Sequence, residues 1–244
     1  MRSVSALAIA SVVGLSAACA PEGSSGAYVS RNIPVGADCL PKSGSSIGLA
    51  TGRYDVGTDD TAKACAAAYV MSLEVNSNLK ANSRDSIGRV EPNVLQITHV
   101  DVRMMDHDRG TLAFRSADKV TPDSERPNPY RVLTALSLPP ATSSTPQTGF
   151  VQIEAIPAIY AEKLVSFAED DASIILELQV FGTTTGGVEV DFRPFEFPVA
   201  LCRGCLSVCA SEFAGKESDL TTLNAGECPD NAPQDGRVCI ASGC

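Results

Sequence analysis

The sequence feature that most constrains the fold is a repeated alternation of apolar and polar residues with a period of two. The alternation is strongest in residues 173–181 and 188–199, which flank the glycine- and threonine-rich stretch 182–187. Successive side chains of a β-strand point to opposite faces, so this pattern predicts a hairpin of two strands with one buried face each. Weaker versions of the pattern occur in residues 69–75, 94–104, 130–138 and 150–156.

The stretches between these segments are rich in Gly, Pro, Asn and Ser, and no segment shows a long helical period. Short strands separated by turn residues are typical of antiparallel sandwiches and barrels. We therefore predict an all-β fold, an antiparallel immunoglobulin-like sandwich, over residues 48–201. Residues 202–244 hold too few apolar residues for a core, so we predict a cysteine-rich tail ordered by disulfide bonds.

The first nineteen residues have the pattern of an export signal that ends at a cysteine. Arg2 precedes an apolar run over residues 4–15, and three small residues then precede Cys19. The run is shorter than the about 20 residues that a membrane-spanning helix needs, so we predict a cleaved signal peptide over residues 1–18. The stretch before Cys19 resembles the bacterial lipobox, which implies diacylglycerol and acyl chains such as palmitate on this cysteine.

Three features of the flanking sequence refine this prediction. Leu15 lies one residue further from Cys19 than the lipobox places its leucine, so plain secretion stays open as the alternative. Ala20 lacks the charge of the aspartate that retains lipoproteins in the inner membrane, which implies an outer-membrane location in the cell envelope. Residues 19–47 are rich in Gly, Ser and Pro, so we predict a lipidated flexible tether there.

The net charge of the chain restricts the classes of partner that we expect. The chain carries a formal net charge of −10 at pH 7 and shows no cluster of Lys and Arg. Such a chain repels phosphate backbones, so we predict no binding to nucleic acid. The partners that we expect are the membrane, through the lipid on Cys19, and an envelope protein or a glycan.

Nine cysteines are present, and lipid on Cys19 would leave an even number for pairing. An exported protein meets an oxidising compartment, so we expect disulfide bonds rather than free thiols. Their clustering suggests a bond between Cys39 and Cys65 and three bonds among the last six cysteines. The predicted disulfide cysteines are Cys39, Cys65, Cys202, Cys205, Cys209, Cys228, Cys239 and Cys244.

Cys202 and Cys205 have the CxxC spacing of thiol redox proteins, and Cys209 follows closely enough to suggest zinc. A redox site of this type needs a strand followed by a helix, and no such unit surrounds these residues. Zinc would need thiolates that an oxidising compartment does not preserve. We therefore predict structural disulfides and no metal site.

The densest cluster of ionisable residues precedes Gly110, which ends a turn-like stretch. The Asp-x-Asp-x-Gly pattern of residues 106–110 resembles part of a calcium loop, but Ala117 stands where the EF-hand needs an acidic ligand. We predict a solvated hairpin turn and a polar strand face, and a solvated loop for the acidic run 169–171. The cluster consists of His99, Asp101, Asp106, His107 and Asp108.

The sequence contains no GxSxG, HExxH, P-loop or Rossmann glycine pattern. We therefore predict no catalytic residue and no cofactor, and expect a non-enzymatic structural or interaction module. The alternative is a secreted hydrolase with its site in the loops at one end of the sandwich. That alternative needs a pocket that holds His99 or His107 beside an acid and a hydroxyl group.

Four stretches together resemble uncharacterised cysteine-rich lipoproteins of the myxobacterial type. The resemblance covers about residues 48–206 and the lipidated start, and it implies a β-rich outer-membrane lipoprotein without transferring any enzymatic residue. The stretches are Gly52–Val56, Tyr69–Leu79, Phe181–Gly187, and Phe195–Val199 running into Cys202-Arg-Gly-Cys205-Leu206.

Overall fold

The structure is a computed structural model that describes residues 26–34, 41, 47–57, 68–80, 93–115, 122–141, 145–170, 172–209, 235 and 239–241. Within these ranges, short helical segments occur only over residues 158–170: a 3-10 turn (Ala158–Tyr160), helix α1 (Ala161–Leu164) and a second 3-10 turn (Val165–Asp170). The strands are β1 (Ala27–Asn32), β2 (Gly52–Asp55), β3 (Tyr69–Ser77), β4 (Leu95–Met105), β5 (Tyr130–Leu138), β6 (Gln147–Ile156), β7 (Ser173–Thr184), β8 (Glu189–Val190), β9 (Phe195–Cys202), β10 (Ser207–Cys209) and β11 (Cys239–Ala241).

These strands form two main sheets. The smaller sheet has the order β1-β3-β6, and the larger has the order β2-β9-β7-β4-β5 with β8 paired to β7. All neighbours in the two sheets are antiparallel except β2 and β9, which run parallel. The prediction of an all-β sandwich is therefore confirmed.

The core lies between the two sheets. It is built from the inward-facing side chains of β3 and β6 on one side and β4, β7 and β9 on the other. Each such buried Leu, Val, Ile, Met or Phe side chain contributes about 1.5–3 kcal/mol relative to exposure. On one flank β5 approaches β6 closely: a Cβ on Gly149 would lie 2.6 Å from Cδ2 of Leu138. The apolar alternation in the sequence therefore marks the side of each strand that fills this space.

The hairpin predicted at residues 182–187 forms with one difference. β7 continues to Thr184, and Gly187 adopts a left-handed conformation (φ +80°) that closes the turn. The second predicted strand is divided into β8 and β9, because Phe192 leaves the sheet and is buried. Its carbonyl accepts a hydrogen bond from Nε2 of Gln179.

The tether predicted over residues 19–47 is wrong at its centre. Residues 27–32 form β1, which pairs with β3, and Ala27 is fully buried. The Arg31 side chain binds the Glu74 carboxylate with distances of 3.2 and 2.9 Å. Gly, Ser and Pro on both sides of this short strand hide its alternation in the sequence. The sandwich therefore already includes Ala27 and does not begin at Gly48.

The tail returns to the sandwich. β10 and β11 pair in parallel, and Asp235 contacts β2. The predicted signal peptide and Cys19, Cys39, Cys65, Cys228 and Cys244 lie outside the described residues, so their roles stay predictions. In the described part of the chain, no helix is long and apolar enough to cross a membrane.

Candidate functional site

The side of the larger sheet that points away from the core is the broadest candidate site. Its side chains combine arginines, carboxylates and exposed apolar groups, and none is a lysine. We call the part of this side that lies on β4, β5, β7 and β9, together with Arg109 of the turn after β4, the outer face; it includes Gln96, His99, Asp101, Arg103, Arg131, Leu133, Ala135, Ile175, Glu177, Gln179, Phe181, Glu196 and Pro198.

An apolar row crosses the outer face. The register pairs His99 of β4 with Leu133 of β5 and with Phe181 of β7. Leu133 is 81% exposed, the highest value among the large apolar side chains of the described residues, and Phe181 is 37% exposed. The rings of His99 and Phe181 stack with centroids 4.6 Å apart and planes 12° from parallel. Apolar groups displayed together in this way are typical of a contact surface.

His99 does not belong to a catalytic triad in the described structure. Its Nδ1 lies 2.9 Å from Oγ1 of Thr98, whereas its Nε2 is buried without a hydrogen-bond partner. A triad needs one ring nitrogen on the hydroxyl and the other on the acid. The nearby Asp101 carboxylate instead accepts hydrogen bonds from Arg131. The site that the hydrolase alternative requires is therefore not formed around His99.

Arg131 connects the apolar row to the charged part of the outer face. Its Nε and Nη2 donate to the two Asp101 oxygens at 2.7 and 2.9 Å. These hydrogen bonds hold the pKa of Asp101 below its usual range and raise the pKa of Arg131. Cζ of Arg131 also lies 5.9 Å from the centroid of the Phe181 ring. Charge and apolar contacts thus fix the orientation of this arginine while much of it stays exposed.

Two further arginine–carboxylate pairs continue across the same surface. Arg103 contacts Glu177 at 2.5 Å, and Arg109 binds both oxygens of Glu196 at 2.9 Å. Arg109 stands in the turn after β4 and adopts a left-handed conformation (φ 65°). Together with the Arg131–Asp101 pair, these two pairs match three arginines with three carboxylates. The outer face is therefore close to neutral although the whole chain carries a net charge of −10.

The remaining acidic residues of the predicted cluster form an exposed turn. Asp106 accepts the Gly110 amide at 2.7 Å, and His107 contacts Asp108 at 3.0 Å with both side chains largely exposed. The structure thus shows the predicted solvated turn. The partner strand expected directly after it is reduced to a single bridge between Met105 and Thr111.

A second site joins the tail to the larger sheet at Cys202 and Cys205. The two cysteines form a disulfide, which confirms this part of the disulfide prediction, and their Cα atoms are 5.9 Å apart. The buried Asp55 carboxylate accepts the amides of Gly57, Gly204 and Leu206 at 2.7–2.8 Å. The carboxylate therefore holds the loop that the disulfide closes.

The chemistry of this second site favours a structural role. An oxygen of Asp55 and the sulfurs of Cys202 and Cys205 lie within 4.8 Å of one another, a spacing that a metal ion would fit. However, the sulfurs are bonded to each other and are not thiolate ligands. A carboxylate beside Cys202 also disfavours a thiolate leaving group, which opposes thiol–disulfide exchange. Cys209 and Cys239 lie on β10 and β11, whose side chains are not described.

Asp235 is a second acidic residue that organises the tail. Its carboxylate accepts the Tyr69 hydroxyl at 3.0 Å and the Arg53 amide at 2.8 Å. Its own amide donates to the Arg53 carbonyl at 2.9 Å. These bonds cover the backbone of β2, the edge strand of the larger sheet. Neither Asp55 nor Asp235 was predicted as a site residue; their only signals in the sequence are the turn patterns Asp-x-Gly and Asp-Gly.

A pocket of about 350 Å³ opens between residues 111–115 and 122–128. It contains neither histidine. Arg126 lies in it and donates to Asp123 at 2.8 Å and to the Ile159 carbonyl at 2.6 Å. The Arg126 hydrogen bond lowers the pKa of Asp123. Among the described residues that line this pocket, the Asp123 carboxylate is held by Arg126 and no histidine is present, so the histidine-containing site that the hydrolase alternative needs is not formed by them.

Comparisons with known proteins identify no family. No protein-family model and no curated protein matches the chain. Among solved structures, a cohesin module from a Clostridium perfringens ATCC13124 family 33 glycoside hydrolase is similar with 11% identity and a TM-score of 0.23. The match covers 63% of this chain and 96% of that module. Likeness at this level transfers no ligand or activity.

Proposed function

We propose that the protein is a lipid-anchored lipoprotein of the outer membrane that acts as a non-enzymatic interaction module through its outer face. The observation that supports this proposal is the row of Leu133, His99 and Phe181, which displays apolar groups side by side on one face of the sandwich. The resemblance to myxobacterial cysteine-rich lipoproteins supports the anchoring.

The composition of the outer face fits a protein-binding surface. Binding surfaces are enriched in aromatic residues and arginine and depleted in lysine, with apolar anchors at the centre and polar groups around them. Leu133 and Phe181 would be the anchors; covering Leu133 would contribute about 1.5–3 kcal/mol, and covering the exposed third of Phe181 would contribute less. The three arginine pairs would form the polar surroundings.

The position of β1 limits how far the module stands from the membrane. Ala27 is the eighth residue after Cys19, and eight extended residues span at most about 26–29 Å. A lipid on Cys19 would therefore keep the sandwich near the bilayer. This favours a partner that is itself attached to the envelope.

Membrane fractionation tests the anchor. Export-competent cells should carry the protein in the membrane fraction and incorporate a palmitate analogue into it, and Cys19→Ser should abolish the labelling. Labelling that survives Cys19→Ser would contradict the anchor.

Native electrophoresis of envelope extracts tests the interaction. Leu133→Glu should shift the protein to a smaller species because a charge replaces the apolar anchor. Tyr28→Glu is the matched control, since Tyr28 is 37% exposed on the opposite sheet and should leave the complex intact. Equal behaviour of the two variants would contradict the assignment to the outer face.

A further inference from the structure

We propose that the partner of the outer face is a second copy of this chain, bound face to face around a two-fold axis. This inference rests on the proposed function and names its partner. It follows from the size of the outer face, its charge pattern and the proposed membrane anchor.

The outer face has the size that a stable dimer needs. Four strands (β9, β7, β4 and β5) about 4.8 Å apart and about ten residues long, at about 3.4 Å per residue, give a surface of about 650 Å². Standard interfaces bury about 800 Å² per partner. The Leu133 and Phe181 side chains project from this surface and supply its exposed apolar groups.

The charge pattern favours a copy of the same chain. The net charge of −10 makes two copies repel when they approach through most of their surface. On the outer face the arginines and carboxylates cancel in three pairs, so this repulsion is weak there. An isologous interface must be self-complementary, and alternating signs meet that requirement. The Arg131 and Arg109 side chains are 56% and 66% exposed, so each can also reach a carboxylate of the other copy.

Anchoring would strengthen the association. Copies that share one membrane surface meet at a raised effective concentration, so a weak contact in solution becomes a populated one there. A two-fold axis perpendicular to the bilayer places both Cys19 anchors on the same side. The short connection from Cys19 to β1 is compatible with this arrangement.

Light scattering of the purified mature protein in a mild nonionic detergent, with the detergent mass subtracted, tests the inference. We expect twice the chain mass at tens of micromolar and a dissociation constant at least tenfold weaker for Leu133→Glu. Ile159→Glu is the control, since Ile159 is 52% exposed on a 3-10 turn outside the outer face and should leave the dimer intact. Circular dichroism should show the same β content in all three proteins.

A monomer at every concentration up to about 100 µM, or a dimer that survives Leu133→Glu, would overturn the inference. The proposed function fails separately: it fails if the palmitate label is independent of Cys19 or if Leu133→Glu leaves the envelope complex unchanged. A monomer in detergent together with an envelope complex that Leu133→Glu disrupts would reject the second copy and retain the interaction module.

Discussion

The two sheets of the sandwich treat their outward sides differently. On the smaller sheet, two outward side chains of β3 bind their neighbours: Glu74 accepts from Ser30 and Arg31, and Asn76 accepts from Thr148 at 2.7 Å. On the larger sheet, Leu133 stands exposed beside its cross-strand neighbours. In the first arrangement the polar groups hold the neighbouring strands β1 and β6 in place, whereas the second leaves exposed apolar area for a partner.

This difference predicts where substitutions reduce stability and where they reduce binding. The larger sheet also has a covered corner, at Asp55, where the disulfide loop lies over the end of β2. We expect substitutions at that corner and on the smaller sheet to reduce the free energy of unfolding. Substitutions in the open part of the outer face should instead weaken association.

The largest effect is expected at the covered corner. Asp55→Ala leaves three amides without their acceptor, and each buried unsatisfied group costs about 1–3 kcal/mol, so we expect a loss of about 3 kcal/mol or more. Denaturant unfolding with the disulfides intact measures it. Asp106→Ala, which removes one acceptor in an exposed turn, should cost less than about 1 kcal/mol. Similar losses for the two variants would show that the loop is not held by Asp55.

A smaller effect is expected on the smaller sheet. Glu74→Gln weakens the bonds to Arg31 and Ser30, and charge-assisted hydrogen bonds contribute about 1.5–3 kcal/mol, so we expect a loss of about 1–2 kcal/mol. Glu196→Gln is the matched change on the outer face, where an exposed ion pair contributes about 0–1 kcal/mol. Equal losses would contradict the contrast between the two sheets.

The unfolding free energy that is lost in Glu74→Gln should depend on pH. Desolvation raises the pKa of Glu74, but hydrogen bonds from Arg31 and Ser30 outweigh it and lower the pKa below the ordinary value of 4.5. A lowered folded-state pKa stabilises the protein above the unfolded-state pKa, and that stability is lost as pH falls through the folded-state value. The difference in unfolding free energy between the native protein and Glu74→Gln should therefore be constant near neutral pH and shrink below about pH 4.5. A difference that grows on acidification would contradict this assignment.

The smallest effect on stability is expected at Leu133, on edge strand β5 of the outer face. Leu133→Glu changes a side chain that is already 81% exposed, so the unfolding free energy of the monomer should change by less than about 0.5 kcal/mol. Thermal unfolding at a concentration below the dimer dissociation constant measures this. A large loss would mean that Leu133 is part of the fold rather than of a contact surface.

Much of the fold was predictable because alternation survives in long strands. The predicted range 130–138 coincides with β5, and the predicted range 173–181 lies within β7. β1 was missed because it has six residues between Gly-, Ser- and Pro-rich stretches. The pairing of β2 with β9 joins residues nearly 150 positions apart, and alternation carries no information on such partners.

The contacts of the candidate site were less predictable, because they too join residues that are distant in the sequence. Residues His99 and Asp101 were identified as polar members of a strand, but their contacts with Phe181 and Arg131 come from two other strands. Asp55 and Asp235 acquire their roles only when the tail returns to β2. Leu133 looks like a core residue in the sequence, because alternation alone does not tell which face of an edge strand is covered.

Site-specific photocrosslinking in intact cells tests the central claim that the outer face is the contact surface. A photoreactive phenylalanine analogue at position 133 should give a discrete adduct, at twice the chain mass if the partner is a second copy. The same analogue at position 28, on the opposite sheet, should give none. Absence of an adduct at position 133, or equal adducts at both positions, would contradict the claim.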